Sequence, residues 1–150
     1  MKLKKSLLEF VDFKILKSDY QLVPIEDDNS ESELTEDYSI DLDFMIRKPE
    51  DNSIVIFTKV SINREEINIP GHSIFAEAVS VFQLSKSQKE MTQNEIDNVI
   101  IYSAVNIAFN HLRGHIRNIT SFTYPGSYTI PIFDLNDLVR QKNERLENLK

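Results

Sequence analysis

At 150 residues with a net charge of −7 and no cysteine, the chain is sized for one domain spanning 1–150, and disulfides and thiolate metal sites are excluded. Its 41% hydrophobic and 27% charged residues fit a globular protein rather than a disordered one. No stretch has the apolar length of a bilayer-spanning helix and no basic patch stands out, so neither membrane insertion nor nucleic-acid binding is expected.

The N-terminus places basic residues before apolar ones, but Glu9, Asp12 and Lys14 interrupt the apolar run and no small-residue cleavage site follows. No signal peptide is expected, and the cytoplasm is the expected compartment. Leu7 to Leu16 reads as a strand with an irregularity near Phe10–Val11. Seven of the 24 acidic residues then fall between Glu26 and Asp37; the remaining acids balance the 17 Lys and Arg. This 26–37 segment reads as a solvated acidic loop, with a handle for a basic partner as the sharper alternative.

From Ser39 to Arg47 the alternation is regular, with Ile40, Leu42, Phe44 and Ile46 on one side and Asp41, Asp43 and Arg47 opposite. Lys48 to Asn52 is a turn, and Ser53 to Asn63 is the second strand of an antiparallel hairpin. A further strand is expected over Ser73 to Leu84. These last two strands carry apolar residues at both parities: Val55 and Phe57 oppose Ile54 and Ile56, and Phe75, Val79 and Val81 oppose Ile74, Ala76 and Phe82. A sheet with one wet face lacks that pattern, so a subunit interface or an apolar binding surface is expected to use the second face.

Thr92-Gln93-Asn94-Glu95 has capping-box spacing, and Ile96, Val99, Ile100, Ala104, Ile107, Ala108, His111 or Leu112, and Ile116 recur at helical spacing. Gly114 is expected to allow close packing on the sheet. Tyr124-Pro125-Gly126 breaks the chain, and a charged second helix is expected over Asp134 to Leu149, with its last turns in solvent. His111 and His115 are four apart, yet no third ligand and no intervening zincin glutamate accompany them, so no metal is expected. The three glycines form no phosphate-cradling loop and no nucleophile elbow is present. No catalytic residue, cofactor or enzymatic activity is expected.

The order of these elements resembles the export chaperone SecB and its relatives. The resemblance is carried by Tyr102–Ala104, Leu112-Arg113-Gly114-His115-Ile116 and Ile119-Thr120 on the long helix, and by Pro125-Gly126 and Ile130-Pro131-Ile132-Phe133-Asp134 after it. The Leu8–Lys17 and Glu77–Phe82 strands fall in matching order. It implies an α+β fold: a four-stranded antiparallel sheet with two helices packed on one face, assembling as dimers or tetramers. It also implies an ATP-independent holdase for unfolded polypeptides, serving preprotein export through the translocase ATPase or guarding an antitoxin. A dedicated adaptor for one partner peptide is the alternative. The charged 26–37 segment and the plain end at Glu144–Lys150 depart from the pattern and weigh against export. Phe122, Tyr124, Tyr128 and Phe133 are expected to line a client groove together with Phe57, Phe75, Val79 and Val81. By resemblance, Asp41, Asp43 and Glu77 on the sheet's outer face are candidates for contacting the translocase ATPase.

Overall fold

A computed structural model describes residues 6–24, 38–49, 52–65, 69–85 and 91–148. The acidic 26–37 segment lies outside the described residues. Four strands, β1 (Leu8–Val23), β2 (Ile40–Arg47), β3 (Ser53–Ile62) and β4 (Gly71–Leu84), form one antiparallel sheet in the order β1-β4-β3-β2. The β2–β3 hairpin has the expected pairing, with Ile40 opposite Ile62 and Arg47 opposite Val55.

β1 runs seven residues beyond the expected end at Leu16, and its register explains why. One shift falls between Phe10 and Asp12, as expected, and a second between Ile15 and Lys17. Each bulge inserts one unpaired residue, Val11 and then Leu16, and reverses which parity faces the core. Phe10 packs inward on Phe82, Phe13 lies against His111, and after Leu16 the even-numbered Ser18 and Tyr20 face inward again. The alternation is therefore broken twice in the sequence although the strand is continuous.

Thr92 caps the helical rod as its spacing predicts. Its hydroxyl accepts from the Glu95 amide and its own amide donates to Glu95 Oε2 at 2.8 Å, which holds the Glu95 carboxyl below its usual range. The rod is made of α1 (Gln93–Val99), a π-helical stretch (Ile100–Val105) and α2 (Asn106–Thr120). The junction residues Ile100 and Asn106 are both right-handed helical, so the chain does not break there. The π turn is the departure from the expected regular helix, and it buries Ile100, Ala104 and Val105. Ile107, expected in the core, is instead exposed, and Gly114 also faces open space with nothing near its missing Cβ.

The core is the single layer between this rod and one face of the sheet. Even-numbered residues Ile54, Ile56, Val60, Ile62, Ile74, Ala76, Ala78 and Phe82 meet Ala108, Phe109, Leu112 and Ile116, all essentially buried. α3 (Leu135–Glu147) starts at Asp134, whose side chain accepts from the Asn136 amide at 2.8 Å. It lies against β2 through half-buried Leu135, Leu138 and Val139 and two ion pairs, Lys142–Asp43 at 2.6 Å and Arg145–Asp41 at 3.3 Å. The last turns of α3 lie in solvent as expected, with Lys142 and Arg145 reaching back to the sheet edge through those pairs. The protein is thus an α+β fold with a four-stranded antiparallel sheet and its helices on one face.

Candidate functional site

After α2 the chain turns at Ser121–Pro125 and runs back to Asp134 without regular secondary structure. Three devices pin this returning segment. The buried Thr120 hydroxyl donates to the Ile116 carbonyl at 2.9 Å and accepts from the Tyr128 amide at 2.9 Å. Arg113 donates from Nε to the Ile130 carbonyl at 2.9 Å and from Nη2 to the Pro131 carbonyl at 3.1 Å. The Phe133 ring packs edge-on against Phe109 at 5.2 Å. Replacing Thr120 with Val keeps the shape but strands the buried Tyr128 amide, so we expect a loss of about 1–3 kcal/mol in urea unfolding. An unchanged midpoint would show that the amide finds another partner.

Although the backbone is held, some of its side chains point outward. Tyr128 and Ile130 are buried, whereas Phe122 is 99% and Ile132 94% exposed, and Tyr124 is more than half exposed. A fully exposed phenylalanine is common on a frayed loop; here it follows directly on a capped helix end and a buried threonine. The arrangement presents apolar side chains on a fixed support, the geometry suited to capturing an apolar segment of another chain.

The sheet's outer face forms a second apolar surface. Met45, Phe57 and Val79 lie side by side in register on β2, β3 and β4. With the bulge residue Leu16, and with Asp43, Lys59 and Glu77 beside them, Met45 and Phe57 line a shallow groove of about 300 Å³. Phe75, Val79 and Val81 are half-buried on this same face, away from the helices. The eight residues expected to line one groove therefore divide. Phe57, Phe75, Val79 and Val81 lie on the outer face, while Phe122, Tyr124, Tyr128 and Phe133 belong to the helix side. Tyr128 is a core residue, stacked edge-on with Tyr38 at 5.5 Å, and burial pushes its hydroxyl pKa up to about 12. Ile132, Leu16 and Met45 were missed. Met45 had a legible signal, as the lone apolar residue on the Asp41-Asp43-Arg47 side of β2.

Asp41, Asp43 and Glu77 do share the outer face, but Asp41 and Asp43 are already paired with Arg145 and Lys142 of α3. The two helical histidines do not converge on an empty site. His111 stacks against Phe10 at 4.6 Å, and His115 Nε2 bonds Ser18 Oγ at 2.9 Å. Among the described residues no group of three or more His, Cys, Asp or Glu is assembled for a metal, and no helix is long and apolar enough to cross a membrane.

His72 joins the returning segment to the sheet. It is buried among Tyr20, Tyr38 and Tyr128, with Tyr20 Oη 3.3 Å from Nδ1 and a hydrogen bond to the Gly126 backbone. Burial lowers its pKa below the ordinary 6.5, and among the described residues none of the groups around it is a carboxylate. A depressed histidine pKa means that the unfolded chain binds more protons below pH 6.5. Its contribution is therefore complete above that pH and is lost as pH falls through the folded-state value. We expect the urea midpoint to drop between pH 7.5 and 5.5, and to drop less in His72→Gln, with His115→Gln as the control for the other histidine that burial depresses. Identical pH profiles for His72→Gln and wild type would contradict this.

No protein-family model and no curated protein sequence matches the chain. Among solved structures it is similar to the Mycobacterium tuberculosis Rv1957 SecB-like chaperone, in complex with a ChAD peptide from the Rv1956 HigA1 antitoxin. That match has a TM-score of 0.57 at 11% identity and covers 85% of this chain and 90% of that one. The fold is SecB-like. A Streptococcus agalactiae protein of unknown function also aligns, at 10% identity over 83% of this chain and 97% of that one, with a TM-score of 0.40. The SecB-like fold accounts for the order of elements here, with four strands, the long helical rod, the returning Pro-containing segment and the last helix.

Proposed function

We propose that this SecB-like protein is an ATP-independent chaperone that holds unfolded or non-native polypeptides through apolar contacts. The observation that carries the reading is the near-complete exposure of Phe122 and Ile132 on a backbone fixed by Thr120 and Arg113. The absence of a Gly-rich phosphate loop in the sequence favours passive holding over a nucleotide-driven cycle. The mycobacterial neighbour, solved with an antitoxin peptide, supports a peptide or antitoxin client over an export role; the cytoplasm is the compartment that goes with this reading. Binding of the translocase ATPase through Asp41 and Asp43 would require displacing Arg145 and Lys142. Self-association into dimers or tetramers is part of the proposal, because the exposed Val11 and Leu22 of β1 give a partner protomer apolar surface to cover.

The second reading, a dedicated adaptor for one partner peptide, is favoured by the single peptide in that neighbour's structure. Light scattering with several unrelated denatured clients, without nucleotide, separates the two. Suppression of aggregation for most clients is the expected result; inertness towards all of them would replace the holdase with the adaptor.

A further inference from the structure

The outer sheet face carries a charge pattern that the holding of apolar clients does not use. In register across the four strands stand Lys17, Glu77, Lys59 and Asp43. Opposite charges placed this way would ordinarily pair along the row. Instead, Asp43 is taken by Lys142, and both lysines turn onto the Phe75 ring, Lys17 Nζ at 4.9 Å and Lys59 Nζ at 5.5 Å from its centre. Neighbouring acids are also occupied, Asp19 by Arg64 and Asp41 by Arg145. Arg47 lies over Phe57 at 5.4 Å. Glu77, with Glu65 beside Lys59, remains against Lys17, Lys59 and Arg47, an excess of one positive charge among these five groups. A chain of net charge −7 thus keeps a cationic centre on this face.

One row along the strands lies the Leu16–Met45–Phe57 groove. Residues two apart on a strand are about 7 Å apart and point the same way. An extended peptide laid along β3 would therefore seat one large apolar side chain in the groove and bring a carboxylate two residues away to Lys59 and Lys17. We propose that the outer sheet face is a docking site for an extended acidic peptide segment with an apolar residue two positions from Asp or Glu. The inference rests on the peptide-binding reading above and gives one class of partner its chemistry.

Fluorescence polarisation of the full chain with a labelled synthetic decapeptide tests it. The peptide has a Gly/Ser background, one central Phe and Glu two residues to either side; its control has Gln in place of Glu. Wild type should bind the Glu peptide about tenfold more tightly than the Gln peptide. That preference should shrink several-fold between about 0.05 and 0.5 M salt, where screening shortens the reach of exposed charges. Lys17→Gln/Lys59→Gln, at surface positions and checked for an unchanged melting curve, should bind both peptides alike. Equal binding of the two peptides by wild type, or the same preference in the double variant, would overturn the proposal. If wild type suppresses client aggregation yet shows no preference for the Glu peptide, this inference fails alone. If it shows the preference without suppressing aggregation, this inference stands and the general holdase reading fails.

Discussion

Phe109→Ala should lower the unfolding free energy by about 3–5 kcal/mol, the range for truncating a large aromatic in a packed core. In a chain of this size that corresponds to a melting temperature lower by roughly 10 °C. The effect is large because Phe109 joins three parts of the fold. Its ring meets Phe44 of β2 at 6.4 Å and Phe133 of the returning segment at 5.2 Å, and the side chain is only 2% exposed. Truncation opens a cavity under the sheet and removes the surface on which Phe133 rests. The neighbouring Ile107→Ala, at an exposed helix position, is the control and should shift stability by no more than about 0.5 kcal/mol. Urea titration measures both. A cost for Phe109→Ala as small as that of Ile107→Ala would mean that the returning segment is held without help from the Phe109–Phe133 contact.

Phe122→Ser/Ile132→Ser should leave the melting curve nearly unchanged while removing most of the suppression of client aggregation. Side chains exposed to this degree contribute little to folding, so the stability change should stay within about 0.5 kcal/mol per site. Their value to a client is different, since burying each against an apolar partner is worth about 1.5–3 kcal/mol. Losing both should weaken binding about a hundredfold or more. Tyr128 is unsuited to the same test although the sequence suggested it, because its ring is buried against Tyr38 and His72 and its loss would disturb the fold itself. Full aggregation suppression by the folded Phe122→Ser/Ile132→Ser variant would remove the returning segment from the client site.

Much of the fold was legible because several local signals agreed. β2 alternates without interruption and its hairpin turn contains Pro and Asn, so the pairing followed directly. Thr92 and Glu95 form the capping box that their spacing announces. The rest of β1 was hidden because the Leu16 bulge returns the core to even positions just where the first bulge had made odd ones apolar. The π turn left no mark either, since the i, i+4 recurrence of Ile100, Ala104 and Ala108 is what an ordinary helix also shows. The candidate site was only half legible. Aromatic residues around Pro125 and the odd-parity apolar residues of β3 and β4 were both visible in the sequence. Periodicity says which residues share a face but not which face the helices cover, so two surfaces were merged into one. Exposure separates them, and it brings forward Ile132, which in the sequence is only part of a Pro-containing pattern.

The most direct test of the chaperone reading is to find where a bound client touches the protein. A photo-crosslinking residue placed at position 122 or 132, with one at the exposed helix position Asn110 as control, can be activated in the presence of a denatured client. The account predicts client adducts at 122 and 132 and none above background at 110. Suppression of aggregation with no adduct at either 122 or 132 would contradict it.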